Sequence, residues 1–273
     1  WRIHEVRNAG SLKQIALEFF DAKESGKPAK LQTFYNNVLS LYWKEVVKEQ
    51  TDATVRESVI EYDRDAVPDQ AVALIATVDV QKYGYWYLVR AWASNETSWK
   101  MEHGFVSTEE ELNHILFEKT WPSCHGAMKI WRAAIDVGGS DHAESGGTSS
   151  EWVYLWYLRN LRRGCQLVLT KGASNRLPEE IKIGDPIFTL PSGKKLPQAL
   201  RIVLIDTTKT KDLFFYRITQ AKEETPICPA YVSHQEKEEY FKQLQSEHKV
   251  KDGCRAVYKQ RGSQDNHLLD CEQ

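Results

Sequence analysis

AVALIATVDVQ (71–81), YWYLVRAWAS (85–94) and ETSWKMEHGFVS (96–107) are the stretches on which the fold turns. The first is almost continuously apolar and rich in β-branched residues, as a strand covered on both faces should be. Lys82-Tyr83-Gly84 is a turn, and the second stretch alternates more visibly between apolar and polar positions. Three consecutive strands joined by short turns are expected. Asp79 interrupts the first near its C-terminal end, where a buried carboxylate is costly unless it is paired or holds a metal.

Downstream, TEEELNHILFEKTW (108–121) carries a Thr-x-x-Glu cap and sets Leu112, Ile115, Leu116 and Trp121 on one side of a helix. MKIWRAAIDVGG (128–139) is a second apolar strand running into an acid, Asp136, and a Gly-Gly turn. SEWVYLWYLRNLRRG, ending at Gly164, is an amphipathic helix, and CQLVLTKG (165–172) a further strand. Three strands, helix, strand, helix, strand is the element order of an RNase H-like α/β fold. Its antiparallel strands one to three are followed by parallel strands alternating with helices, giving a mixed central sheet flanked by helices.

Upstream, SLKQIALEFFDAKE (11–24) spaces Leu12, Ile15, Ala16, Phe19 and Phe20 as a helix, with Ser11 as N-cap. The aromatic LQTFYNNVLSLYWKE and a charged stretch follow, up to Val67-Pro68-Asp69, where proline ends any helix. Residues 1–66 are therefore expected to be a leader or linker, and 67–273 the main domain. Toward the other end, IKIGDPIFTLPSGKKLP has a hairpin pattern and ALRIVLIDT reads as a strand. Lys209 to Lys222 reads as a helix with Leu213, Phe214 and Ile218 inward, and HQEKEEYFKQLQSE as another. GSQDNHLLDCEQ begins a last helix that returns Asp270 to the sheet.

Composition narrows the class. A 273-residue chain with 41% hydrophobic residues can bury a sizeable core, and it has no apolar run near the roughly 20 residues of a membrane span. Five dispersed cysteines without a C-x-x-C pair suggest neither a disulfide framework nor structural zinc. A formal charge of −2 excludes nucleic-acid binding by overall charge, so any phosphate contact falls to local patches. Arg159, Arg162 and Arg163, the pair Lys194 and Lys195, and Lys209 with Lys211 are the candidates. No phosphate-loop motif is present, so ATP hydrolysis by these residues is not expected.

The acids carry the chemical reading. Two divalent ions roughly 3.5 to 4 Å apart need carboxylates that converge from separate elements. Asp79 on the first strand and Asp136 at the end of the fourth meet that need, because those strands are neighbours in this fold; Asp270 is the candidate from a late helix. All-oxygen ligands favour Mg²⁺ or Mn²⁺ over zinc. Around them, Lys171, Asp141, His142, Lys209, Asp265 and His267 are candidates for supporting or DNA-contacting roles. Each residue has a bland alternative as a turn, cap or solvated loop residue.

TFYNNVLSLYW (33–43), TVDVQ (77–81), IDVGG (135–139), LTKGAS (169–174), DTTKTKDL (206–213) and NHLLDCE (266–272) occur in the order of their counterparts in lambda-like, GpA-family phage terminase large subunits, which the chain resembles over nearly its whole length. The resemblance implies the C-terminal nuclease domain of a viral DNA-packaging motor. It would cut double-stranded DNA with two Mg²⁺ or Mn²⁺ ions on Asp79, Asp136 and Asp270. It also implies an ATPase domain in the same full-length chain, a small terminase subunit and a portal protein as partners, and the host cell cytoplasm as the place of action. The third strand departs from the family pattern: MEHGFVS lacks the further acidic and glycine residues expected there, which leaves a fourth ligand open. Two alternatives stand beside this reading, another RNase H-like nuclease of resolvase or transposase type, and a catalytically silent RNase H-like docking module.

Overall fold

A computed structural model describes residues 12–41, 52–138, 149–252 and 255–273. In chain order its elements begin with α1 (Leu12–Glu24), α2 (Pro28–Thr33), β1 (Val59–Ile60), β2 (Ala73–Gln81), β3 (Gly84–Trp92), β4 (Ser98–Val106) and α3 (Glu109–Asn113). They continue through a short hairpin of β5 (Trp121–Ser123) and β6 (Gly126–Met128), then β7 (Ile130–Asp136), α4 (Ser149–Asn160), β8 (Gln166–Gly172) and β9 (Ile181–Ile183). A second hairpin, β10 (Ile187–Thr189) and β11 (Lys195–Leu200), leads to β12 (Ile202–Ile205), α5 (Thr207–Thr219), β13 (Ala230–Ser233) and α6 (Glu238–Leu244). The hairpin β14 (Glu247–Asp252) with β15 (Arg255–Gln260) and the helix α7 (His267–Cys271) follow, and single helical turns such as Asp52–Val55 lie between these elements.

The main sheet has the order β1-β13-β4-β3-β2-β7-β8-β12-β9 among the described residues. β2 pairs antiparallel with β3 in unbroken register from Ala73↔Trp92 to Gln81↔Gly84, and β3 with β4 likewise antiparallel. β7 runs parallel to β2, β8 to β7 and β12 to β8. The order third, second, first, fourth, fifth, with the first three antiparallel and the rest parallel to the first, is the RNase H-like fold expected from the element order. Gly84 closes the β2–β3 turn because no side chain fits: a Cβ there would lie 2.4 Å from the Val106 carbonyl oxygen.

Two apolar layers cover the sheet. On one face Leu74, Ala76, Val78, Ala133 and Ile135 pack against Leu112, Ile115 and Leu116 of the segment after β4 and against Val153 and Trp156 of α4. Thr108 caps α3 by accepting from the Glu111 amide, and the Glu111 carboxylate returns the bond to the Thr108 amide, as the Thr-x-x-Glu spacing predicts. Trp156 is fully buried and donates its indole N–H to Asn113 Oδ1 at 3.0 Å, so the two helical segments are tied by the one polar atom that burial would otherwise leave unpaired. On the other face Leu88 meets Phe214, Phe215 and Ile218 of α5, Tyr240, Phe241 and Leu244 of α6, and Leu268 and Leu269 of α7.

Several expectations are corrected. Trp121 is not on the helix after Thr108; helical turns end at Glu118, and Trp121 is buried on the β5–β6 hairpin. The helix read over HQEKEEYFKQLQSE is only Glu238–Leu244, and Glu247 opens β14 instead. The segment IKIGDPIFTLPSGKKLP is not one hairpin: its first three residues join the main sheet antiparallel to β12, and the hairpin forms from β10 and β11 beyond them. β13 was not anticipated, nor was the β14–β15 hairpin. Ser11 and the end of the aromatic stretch lie outside the described residues. From 52 to 60 the chain is bound into the domain, with Val55 in the second apolar layer and Val59–Ile60 parallel to β13. By contrast α1 exposes Leu12, Leu17 and Phe20. No described helix is long and apolar enough to cross a membrane, and the four described cysteines, Cys124, Cys165, Cys228 and Cys271, are free thiols.

Candidate metal centre

Parallel pairing of β2 and β7 sets Val78 beside Ile135, so Asp79 and Asp136 stand one step further on, at the C-terminal ends of neighbouring strands. Strand alternation then decides where they point. Leu74, Ala76 and Val78 take the face under α4, and Ile75, Thr77 and Asp79 take the opposite face with Ala134 and Asp136. These residues line a cavity of about 550 Å³ between the sheet and α5. Its rim also includes Lys171 and Thr170 from β8 and Asp270 from α7, so Asp79, Asp136 and Asp270 open onto one space.

Their surroundings differ. Asp79 is 9% exposed, and its Oδ2 accepts from Gln81 Nε2 at 2.7 Å and from His267 Nδ1 at 2.8 Å. The His267 ring stacks on Trp86, centroids 5.6 Å apart and 17° from parallel, and the bond to Asp79 raises its pKa. Asp136 Oδ2 accepts the Gly138 amide at 3.1 Å. Burial pushes the Asp136 carboxyl up to about 6, the negative charge of Asp79 adds to this, and Asp270 adds less; the Gly138 amide and Lys171 act the other way. A carboxyl raised by burial and further by acidic neighbours sits in a place short of positive charge.

Asp270 meets a cation of the protein itself. Its Oδ1 lies 3.0 Å from Lys211 Nζ and accepts from Gln273 Nε2 at 2.8 Å, while Oδ2 accepts from Asn266 Nδ2 at 2.8 Å. Burial raises its pKa and Lys211 lowers it. Lys211 is itself buried on α5 and is held by both oxygens of Glu247, at 2.8 and 2.7 Å. With Asp270 engaged in this way, no three His, Cys, Asp or Glu side chains among the described residues stand together as a ready-made metal cage. The oxygen-only donor set and the mutual repulsion around Asp136 nevertheless suit a hard divalent cation.

The remaining candidates divide. His267 contacts Asp79 directly, Lys171 is exposed at the cavity rim close enough to depress Asp136, and Asp265 lies close enough for its charge to raise His267. Lys209 turns elsewhere: its ammonium donates to the carbonyls of Leu177 and Pro178 at 2.7 and 2.6 Å, tying that loop to the first turn of α5, which Asp206 caps. Asp141 and His142 lie outside the described residues. Arg159 and Arg163 pair with Glu109 and Glu118, and Lys194 and Lys195 are exposed at the β10–β11 hairpin. On the third strand Glu102 is taken by Lys119 and Tyr87, and His103 sits 3.6 Å from Glu236 with its pKa pushed down to about 4 by burial. Sequence reading missed Lys211 as the partner of Asp270, and Glu247 and Asn266 beside it. Lys211 and Glu247 are 36 residues apart, and the strand carrying Glu247 read as helix.

Sheet order and strand directions define an RNase H-like domain. Over residues 6–273 the chain matches the family of the terminase large subunit gpA, endonuclease domain, and it belongs to that family. It is 27% identical over 226 residues to the terminase large subunit of Enterobacteria phage P21, an alignment that takes in 80% of this chain and 32% of that protein. The chain thus spans about a third of the length of that relative. A more distant likeness is to the K428A mutant nuclease domain of the large terminase subunit gp2 of bacterial virus Sf6 with manganese, at 10% identity and a TM-score of 0.47, covering 81% of this chain and 95% of that one.

Proposed function

We propose that this domain is a metal-dependent endonuclease that cuts double-stranded viral DNA during genome packaging, with Asp79, Asp136 and Asp270 as ligands for two Mg²⁺ or Mn²⁺ ions. The observation that carries the reading is the opening of three acids from three separate elements onto one cavity, where burial first, and then the charges of Asp79 and Asp270, raise Asp136. Bound there, the ions would supply the concentrated positive charge that phosphodiester hydrolysis requires. Asp79 and Asp136 would hold them from fixed strand ends, and His267 would orient Asp79 through its Nδ1–H, as outer partners of metal ligands commonly do. Lys171, exposed at the rim, is the cation best placed to meet a DNA phosphate. Asp270 would exchange its bond to Lys211 for a metal.

In the packaging motor we assign to this domain the partners of its family: duplex DNA, an ATPase domain of the same full-length chain, a small terminase subunit and a portal protein, acting in the host cytoplasm. Residues 1–66 would then connect the ATPase to the nuclease. The test is nicking of supercoiled plasmid by the purified domain with Mn²⁺, Mg²⁺ or EDTA, beside Asp79→Ala and Asp136→Ala. Metal-dependent nicking lost in both variants is the expected result. The Lys211–Asp270 pair favours one rival, a silent docking module, and the absence of both nicking and Mn²⁺ binding in the wild type would decide for it.

A further inference from the structure

α7 is only five residues long, too short to hold itself as a helix, so tertiary contacts decide where it sits and with it where Asp270 lies. Leu268 and Leu269, fully buried, anchor its apolar side. Apolar contacts fix depth better than rotation, and Asp270 lies away from them. The end of the helix is held differently. Glu272, two residues beyond Asp270, is the C-cap, and its side chain is 1% exposed. Its carboxylate receives Arg90 Nε on Oε2 at 2.5 Å and Arg90 Nη2 on Oε1 at 2.9 Å, and the Tyr240 hydroxyl donates to Oε1 as well.

Arg90 is as constrained as its partner. It sits on β3 opposite Ile75 of β2, the strand that carries Asp79, and its Nη1 donates to Ser98 Oγ and to the Tyr231 carbonyl, both at 3.2 Å. A buried ion pair of this kind is a poor way to gain stability, because removing two charges from water offsets most of their attraction. What a forked, two-point bond to a strand residue does supply is direction. It fixes the end of α7 in rotation and in height relative to the sheet.

We propose that Arg90, Glu272 and Tyr240 form a positioning clamp for the metal site, locking α7 so that the Asp270 carboxylate faces Asp79 and Asp136. The assignment rests on the nuclease reading above and gives Glu272 of the NHLLDCE segment a role. The side-chain hydrogen bonds of Arg90, Glu272 and Tyr240 described above run to one another and to the sheet, and they act through the helix that carries Asp270.

The experiment compares wild type, Glu272→Gln and Tyr240→Phe by Mn²⁺ titration, read by calorimetry and by plasmid nicking, with thermal unfolding in EDTA alongside. Glu272→Gln keeps the shape and removes the charge; Tyr240→Phe removes one hydrogen bond and is the milder variant should the first fold poorly. The clamp predicts that the Mn²⁺ concentration for half-saturation rises about tenfold in Glu272→Gln and about two- to threefold in Tyr240→Phe, with nicking at saturating Mn²⁺ close to wild type. A lowered melting temperature with unchanged Mn²⁺ dependence in Tyr240→Phe and in any folded Glu272→Gln would make the network merely structural and overturn the proposal. A wild type that binds Mn²⁺ without nicking would sink the nuclease reading and leave the affinity comparison to judge the clamp. A wild type that binds no Mn²⁺ would overturn both.

Discussion

The two halves of the candidate site are built on different principles. Asp79 and Asp136 are placed by backbone: the parallel register of β2 and β7 puts them side by side whatever their side chains do. Asp270 is placed by side chains, with Lys211, Asn266 and Gln273 on its carboxylate and Arg90 and Tyr240 on Glu272 nearby. The strand half therefore keeps its geometry without a cation and shows the strain of doing so in the raised Asp136. The helix half carries its own cation, Lys211, which Asp270 shares with Glu247. On the proposed reading, such a site has one rigid side and one side that would exchange an internal ammonium for an external metal.

The largest effects should come from the rigid half. Asp79→Ala and Asp136→Ala should each lower metal-dependent nicking on the order of 10³-fold or more, while circular dichroism remains that of the wild type. Retention of near-normal nicking by either variant would remove that residue from the site.

Next in size is Lys211→Met. Breaking a buried pair strands its partner's charge, here Glu247 and in part Asp270, and typically costs about 3–5 kcal/mol. The melting temperature in EDTA should drop sharply. Because the ammonium no longer competes for Asp270, adding Mn²⁺ should raise the melting temperature more in the variant than in the wild type. Equal metal-induced gains in the two proteins would mean that Lys211 and the metal do not compete.

A smaller effect separates the two donors that meet on Asp79 Oδ2. His267→Ala removes the Nδ1–H donor and leaves Gln81 in place. Mn²⁺ affinity should weaken about tenfold, measured by calorimetry, with Asp270 still on its helix. No change in affinity would reduce His267 to a packing partner of Trp86.

The same division explains what the sequence revealed. Asp79 and Asp136 were legible because a strand's apolar run carries its own record of burial and alternation, and the order of elements then fixes which strands adjoin. The Thr108 cap and the closing helix of Asp270 were legible for the similar reason that their signals are local. Lys211 with Glu247, Arg90 with Glu272 and Lys100 with Glu236 were not, since pairs separated by 36, 182 and 136 residues leave no periodicity to read. β13 was missed because four residues, AYVS, are too few to show a period, and its place between β1 and β4 is set by tertiary pairing. Lys209 drew attention as part of a basic run within DTTKTKDL, yet two loop carbonyls claim it.

The smallest prediction concerns the charge deficit of the strand half. Asp136 has a folded-state pKa of about 6 against an ordinary 3.8, so the folded protein holds that proton more tightly than the unfolded chain. Below about pH 4 both states are protonated and nothing is lost. As pH rises toward 6 the folded state must give up the proton in a buried, acidic setting, and stability falls until the carboxylate is fully ionised. His267, also raised, loses stability in the same direction as pH rises, so the wild-type profile alone does not isolate Asp136. The difference between wild type and Asp136→Asn does. In EDTA the variant should be more stable at pH 7 by on the order of 2 kcal/mol, with the gap closing toward pH 4 in thermal unfolding followed across that range. Saturating Mn²⁺ should reverse the order at pH 7, because only the wild type gains the ligand that the cation uses. A gap independent of pH would mean that burial and the charge of Asp79 do not hold the Asp136 carboxyl up, and the strand half would lose its claim to be a site waiting for positive charge.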